Sequence, residues 1–249
     1  MESPHDGVLV LNKPRGVTSH HAVLVARRRL GIRRIGHTGT LDPMAEGVLV
    51  LLIGRATRRQ QQFQRCRKVY EAGIRLGVQT DTADAWGATI RSAPVLPCDR
   101  TRVEQVLASL IGPLSQTPPA FSAVKVDGRP LYWWARKGRL VEAKPRTIEI
   151  FSAELLELDG ERVRCRVACS SGTYIRTLAE TIAERLGTVG HVDQLIRLAV
   201  GGWTIERSKD LDWLTQASDD EVRAAITLDD APIGDQARLT EPVAARAWP

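Results

Sequence analysis

No apolar run in this chain of 249 residues approaches the roughly 20 residues that a membrane-spanning helix needs. The start, MESPHDGVLVLNKP, lacks the basic opening and long apolar stretch of a secretion signal, so a cytoplasmic protein is expected. Cysteine is scarce. Cys66, Cys98, Cys165 and Cys169 form no C-x-x-C pair, which argues against a zinc site and fits reduced thiols. A P-loop and a G-x-G-x-x-G run are both missing, so nothing points to a nucleotide cofactor. Internal repeats and low-complexity segments are missing too.

What is present is a globular composition, 43% hydrophobic and 26% charged, of a length that suits one large domain or one domain with an appendage. Lys and Arg number 35 against 29 Asp and Glu, a net charge of +6. The excess is clustered. ARRRLGIRR holds five arginines between Arg27 and Arg34, and RATRRQQQFQRCRK holds five arginines and a lysine between Arg55 and Lys68. Two such clusters suggest a polyanionic partner, nucleic acid above all; the plainer alternative is solvated helix faces.

Local patterns predict the elements. The run Val8 to Leu11, stopped before Pro14, reads as a strand. Thr18 or Ser19 can cap a helix bearing Ala22, Val23, Ala26 and Leu30 and ended by Gly31. Val48 to Gly54 reads as a buried strand, and KVYEAGIRLGV as another. Thr101 and Glu104 have capping-box spacing for a helix with Val103, Val106, Leu107, Leu110 and Ile111 inward and Gly112 at its end. QTPPAFSAVKVDGRPLYWWARKG predicts a proline-rich loop, a short strand, a D-G turn and a short aromatic helix. One of its adjacent indoles, Trp133 and Trp134, is expected in the core, because neighbouring helix positions face different directions. In ERVRCRVAC, Val163, Cys165, Val167 and Cys169 share the apolar face of a strand. A strongly amphipathic helix follows, with Ile175, Leu178, Ala179, Ile182, Ala183 and Leu186 inward. The tail from Leu228 to Pro249 shows no clear periodicity. Strands and helices mix without a βαβ rhythm, which points to an α+β fold.

Between the basic clusters lies GHTGTLDPMAEGVL. Gly36, Gly39 and Gly47 permit unusual backbone angles, and Pro43 pushes Asp42 toward an extended conformation. Leu41 and Met44 flank Asp42, so a carboxylate is held at the edge of an apolar core. An isolated L-D-P would be an ordinary turn. Apolar surroundings raise a carboxyl's pKa, so an ionised Asp42 requires a buried arginine or lysine partner.

This stretch resembles the catalytic motif of the bacterial TruB family, the tRNA pseudouridine-55 synthases. LNKPRGVTSH, KVYEAGIRLGVQTDTADAWG, PPAFSAVKVDGRPLY and SSGTYIRTLAE resemble further family blocks in the family's order, over roughly residues 7 to 205. The resemblance implies a pseudouridine synthase fold: a central mixed or antiparallel sheet flanked by helices and loops, with a thumb-like RNA-binding insertion at about residues 117–147. It implies a catalytic domain over residues 1–230. The remainder, residues 231–249, would be a short tail where many members carry a PUA domain, here absent or truncated. The implied reaction isomerises a T-loop uridine of tRNA without cofactor or metal, in a monomer that needs no protein partner and no membrane.

The resemblance also assigns roles. Asp42 is the catalytic aspartate, acting on the base or on the ribose, and Arg176 pairs with it. Without the match Arg176 reads as an exposed arginine. Tyr70 stacks on the target base, which must leave its helical stack to be reached. His37 helps displace that nucleotide without acting as acid or base. Lys13 supports the site, and Leu195 lines the base pocket. Arg33, Arg34, Arg58, Arg59, Lys125, Arg129, Arg136 and Lys137 are expected to meet RNA, with Arg139, Lys144 and Arg146 supplying further phosphate contacts. One departure is Leu195-Ile196-Arg197, where the family has L-R-R: an arginine is missing there, which predicts altered tRNA affinity. The short tail predicts weaker, more salt-sensitive binding. Two rivals remain. One is an RNA chaperone that opens the tRNA elbow without chemistry. The other is a carboxylate hydrolase, for which Glu46 is the nearest second carboxylate.

Overall fold

In the computed structural model, which describes residues 6–139, 141 and 143–227, the first apolar run forms strand β1 (Gly7–Lys13). Helix α1 (Ser19–Leu30) is capped by Thr18, whose hydroxyl accepts from the His21 amide at 3.0 Å, and stops at Gly31 with φ of 68°. Then come β2 (Ile35–His37), β3 (Glu46–Ile53), a 3-10 turn at Gly54–Arg59, α2 (Gln60–Gln64) and β4 (Lys68–Leu76). Further along are β5 (Val78–Thr80), β6 (Thr89–Ser92), α3 (Arg100–Ala108), β7 (Gly112–Gln116), β8 (Lys125–Val126), β9 (Arg129–Pro130) and α4 (Leu131–Ala135). The chain continues through β10 (Arg146–Asp159), β11 (Arg162–Cys169), α5 (Ile175–Arg185) and β12 (Gly190–Val200). The described residues end with β13 (Trp203–Thr204), β14 (Lys209–Asp210), α6 (Leu211–Gln216) and α7 (Asp219–Ala225). No helix among them is long and apolar enough to cross a membrane. The tail from Leu228 to Pro249, with its expected boundary at residue 231, lies outside the described residues.

The chain divides into two compact units, one holding the residues up to Tyr70 with those from Ile196 on, the other Glu71–Leu195. In the first, strands follow the order β14-β1-β3-β12. β3 lies antiparallel to β1 (Lys13 opposite Gly47) and to β2 (Ile35 opposite Ile53), and parallel to the end of β12 (Arg197 opposite Gly47). Its residues Val48 to Ile53 are fully buried, which explains why they read as a continuous apolar run without alternation. Helices α1, α6 and α7 cover the sheet through a core of Leu9, Leu11, Ala26, Leu49, Leu51 and Leu214. The second unit carries the order β12-β4-β11-β10-β7, with α3 packed on β10 and α5. Parallel and antiparallel pairs together make the sheet mixed and the fold α+β, as the sequence predicts.

Several local expectations are corrected. Helix α3 is capped by Asp99, whose carboxylate accepts from the Arg102 amide at 2.8 Å, while Glu104 pairs with Arg100 at 2.9 Å. A carboxylate caps as well as a hydroxyl and gains from the helix dipole, so the helix starts before Thr101 and no capping box forms there. Ile111 is 51% exposed because the helix has already ended, and Gly112 opens β7. Leu186 sits half-buried at the cap of α5. Neither Trp133 nor Trp134 enters the core. α4 is one turn long and buries only Leu131, leaving the indoles half-buried and edge-to-face at 4.7 Å. The D-G turn forms as expected, Asp127 and Gly128 both having positive φ between β8 and β9. The apolar face of β11 is also as read from sequence, with Val163, Cys165, Val167 and Cys169 buried.

Candidate active site

The loop from His37 to Gly47 joins β2 to β3 in the first unit. Asp42 is half-buried, and Leu41 and Met44 beside it are 3% and 2% exposed. The turn closes with the Ala45 amide donating to the Asp42 carbonyl at 3.1 Å. Around it the backbone is tied almost residue by residue. The Ser19 hydroxyl accepts from the Leu41 amide at 2.8 Å and donates to the Leu41 carbonyl at 3.0 Å. The Gly16 amide donates to Pro43 O at 2.8 Å, and the Thr38 amide to Val50 O at 3.1 Å. Gln60 Nε2 donates to His37 O at 3.1 Å.

Two buried cations complete the frame. Lys13 is fully buried, and its Nζ donates to the carbonyls of Ala45, Val17 and Pro14 at 2.6, 2.7 and 2.9 Å. Arg197 is 2% exposed; it donates from Nε to Val48 O at 2.7 Å and from its two terminal nitrogens to Gly39 O at 3.1 Å and Thr40 O at 3.4 Å. Of the motif's glycines only Gly47 needs its freedom. It has φ of 104°, and a Cβ there would lie 2.2 Å from Arg197 O. Gly36 and Gly39, expected to adopt unusual angles, do not have positive φ.

Burial pushes the Lys13 ammonium down to about 8, with the Arg197 charge adding to the effect and the Glu46 and Asp42 carboxylates opposing it. The folded chain therefore releases this proton near pH 8, while the unfolded chain holds it to about 10.5. Between those values the unfolded state binds more protons, so stability rises with pH. The unfolding free energy of the wild type, measured against Lys13→Met from pH 7 to 10.5, is expected to gain up to about 3 kcal/mol across this window. A flat difference would show that the three carbonyls keep the ammonium charged.

His37 is half-buried, and its Nδ1 is enclosed without a hydrogen-bond partner among the described residues. Burial, then Arg197 and His20, holds its pKa below the usual imidazole range, so the ring is neutral at pH 7. Tyr70 lies on β4, 8% exposed.

In the second unit Arg176 occupies the first turn of α5. It is 4% exposed, not the surface arginine its residue type suggests. Its terminal nitrogens donate to Thr82 O and Phe121 O, both at 2.9 Å, and its Nε stands 3.9 Å from the Asp84 carboxylate. Asp84 in turn accepts from the Thr82 hydroxyl at 2.8 Å and the Trp86 amide at 3.0 Å. Leu195 on β12 is 5% exposed.

The basic clusters are brought together by strand pairing. Because β2 and β3 are antiparallel, the residues before Ile35 meet those after Ile53. The Gly54 amide donates to Arg34 O at 2.8 Å, and Arg34 Nε to the Thr57 hydroxyl at 2.7 Å. Arg33, Arg34 and Arg58 are exposed there, and Arg59 lies 5.7 Å over the Phe63 ring. Other members of the clusters are engaged in the fold: Arg27 donates to Ile35 O, Arg29 pairs with Asp219, and Arg55 pairs with Asp6. In the second unit Lys125 and Arg129 are exposed on the β8–β9 hairpin, and Arg136 and Lys137 just after α4. Arg129 and Lys137 lie 5.3 and 4.1 Å from the Trp133 ring centre, and Arg136 lies 5.5 Å from that of Tyr132.

Residues 27–175 match the family described as TruB family pseudouridylate synthase (N terminal domain). This chain belongs to the TruB family. Asp42, His37 and Tyr70 lie inside the matched span of this TruB family chain; Lys13, Arg176, Leu195 and Arg197 lie outside it. A protein of Aromatoleum aromaticum (strain DSM 19018 / LMG 30748 / EbN1) described as tRNA pseudouridine synthase B is 49% identical over 203 residues, 82% of this chain and 66% of that protein. A Burkholderia pseudomallei (strain 668) protein of the same description is 45% identical over 226 residues, 91% of this chain and 74% of that one. The chain thus spans 66% of the length of the first of these relatives. Among solved structures, a Cbf5-Nop10-Gar1 complex is similar with a TM-score of 0.69 at 29% identity, over 90% of this chain and 60% of that one. An H/ACA RNP bound to a substrate RNA containing 2'-deoxyuridine is similar with a TM-score of 0.66 at 27% identity, over 90% and 59%. The fold these neighbours share is that of a pseudouridine synthase, as the sequence implied.

The sequence reading missed Ser19, Arg197 and Asp84. Arg197 carried a usable signal: it stands two residues after Leu195, in phase with an inward-facing position, so a strand pattern already turns its side chain toward the core.

Proposed function

We propose that this TruB family chain is a tRNA pseudouridine synthase that converts uridine 55 of the T loop to pseudouridine, with Asp42 as the reacting carboxylate. The bond from the ribose to N1 breaks, the base turns, a bond to C5 forms, the C5 proton leaves and N1 takes one up. Substrate and product are isomers, so no oxidant or external group is required. The observation that carries this reading is the fixed backbone around Asp42: a half-exposed carboxylate on a loop bonded by Ser19, Lys13 and Arg197 is pre-set for attack, not merely part of a turn. The relatives' description as tRNA pseudouridine synthase B supports the substrate.

In this reading Arg176 is the counter-ion of Asp42, Tyr70 stacks on the flipped base, Leu195 lines its pocket and His37, held neutral, fills the space the base leaves. Lys13 supports the loop. The joined patch of Arg33, Arg34, Arg58 and Arg59 and the cations Lys125, Arg129, Arg136 and Lys137 take the RNA backbone, residues 117–147 serving as an RNA-binding thumb on a catalytic domain that runs to about residue 230. The chain acts alone, in the cytoplasm and without a cofactor.

The test is nucleoside analysis of an unmodified tRNA transcript after incubation with the pure protein and nothing else added. Pseudouridine at the T-loop uridine is expected. Transcript bound and unfolded at the elbow with no pseudouridine formed would replace the enzyme by the RNA chaperone.

A further inference from the structure

The longest-range contacts of the Asp42 loop come from a side chain that takes no direct part in the proposed chemistry. Arg197 reaches it from β12, 149 residues beyond Val48. It is among the largest fully buried side chains and forms no ion pair with a carboxylate among the described residues. A buried charge without a counter-ion is expensive, although an apolar residue in its place would leave three loop carbonyls without these donors. The neighbours facing the same way, Leu195 and Ala199, are apolar. Donors are therefore needed here, but that need does not by itself account for a charged guanidinium.

Its geometry does. The guanidinium is planar and offers donors in fixed directions. Here they meet Gly39 O and Thr40 O ahead of Asp42 and Val48 O after it, so one rigid group bridges both limbs of the loop. The bridge is held close by the ladder itself, where Arg197 faces Gly47 and leaves no space for a side chain at 47. A lysine carries its three donors on one nitrogen and lacks the planar fork that here meets the three carbonyls from three separate nitrogens. We infer that Arg197 is a positioning residue, setting the path of the 39–48 backbone and through it the aim of the Asp42 carboxylate. Its charge also acts on Lys13 and His37, lowering the proton affinity of both, which places it at the electrostatic centre of this loop.

The inference rests on Asp42 being the reacting carboxylate, and its test separates the two. Arg197→Lys and Arg197→Gln are compared with the wild type by steady-state kinetics on an unmodified tRNA transcript, by thermal unfolding, and by amide hydrogen exchange at residues 38–45. Both variants are expected to fold, to hold KM for the transcript within about threefold, and to lose about 100-fold in kcat, with faster exchange in the loop. A merely structural arginine would leave the kcat of the folded protein unchanged, and that result overturns the proposal. So does a rise in KM at constant kcat, which would make Arg197 an RNA-binding group, and so does failure of both variants to fold, which would make it a strut of the core. If the wild type forms no pseudouridine, the proposed function fails instead. Hydrogen exchange then decides alone: faster exchange at 38–45 upholds the positioning of the loop, and unchanged exchange overturns it.

Discussion

Asp42→Asn is expected to lower pseudouridine formation by on the order of 10⁴-fold or more while leaving tRNA affinity within about threefold of the wild type. The amide has nearly the shape of the carboxylate, so the turn closed by the Ala45 amide on the Asp42 carbonyl and the bonds from Ser19 to Leu41 remain. What is lost is the negative charge, which the proposed reaction needs for attack on, or stabilisation of, the sugar–base centre. Single-turnover assays with excess enzyme, read by nucleoside analysis, measure the first quantity, and filter binding measures the second. Activity within tenfold of the wild type would remove Asp42 from the chemistry. Loss of binding together with activity would show that the carboxylate holds the loop or the RNA and does not react.

The second large effect is on stability. Glu71, the first residue of the second unit, is fully buried, and its two carboxylate oxygens accept from Arg166 at 2.7 Å and Arg164 at 2.9 Å. The arginine side chains are themselves only 17% and 16% exposed. Removing the carboxylate takes their shared buried partner from two largely desolvated cations, Arg164 keeping a contact with the exposed Glu157 at 3.7 Å, and such a loss typically costs about 3–5 kcal/mol. Glu71→Ala should therefore unfold at a temperature lower by roughly 10 °C or more, at about 2–4 °C per kcal/mol for a chain of this size. Replacing all three, with Glu71→Leu, Arg164→Met and Arg166→Met together, should recover most of the loss, because the two arginine charges are removed along with their buried partner. If the triple variant is no more stable than Glu71→Ala, the cost lies in packing and not in the charges. The same carboxylate adds to burial in pushing the Cys165 thiol up to about 12, so Cys165 stays protonated and should not react with thiol reagents in the folded protein at pH 8.

The arginines of β11 show how much a strand pattern conveys. Alternation placed Val163, Cys165, Val167 and Cys169 on one face, and burial agrees. It said nothing of what the other face meets. Glu71 lies 93 and 95 residues away from Arg164 and Arg166, on the neighbouring strand β4, and only strand pairing joins them. The basic clusters carry the same lesson. Their density was visible at once, but which arginines stay available was not, because that depends on Asp6, Asp219 and the Ile35 carbonyl coming within reach.

By itself the sequence determined what local interactions govern. These are β1 and β3 from their apolar runs, α1 with Thr18 or Ser19 at its start and Gly31 at its end, the face of β11, and a motif loop particular enough to name its family and to offer Asp42 as the candidate carboxylate. Such features depend on neighbours within a few residues, where sterics, capping and periodicity act directly on the chain. Tertiary structure alone decided how the loop is held. Among the described residues, the carbonyls of Gly39, Thr40, Ala45 and Val48 are met from far along the chain, by Lys13 through the β1–β3 ladder and by Arg197 through the β12–β3 pair. A buried backbone must find donors somewhere, and which distant residue supplies them is settled only when the strands have paired.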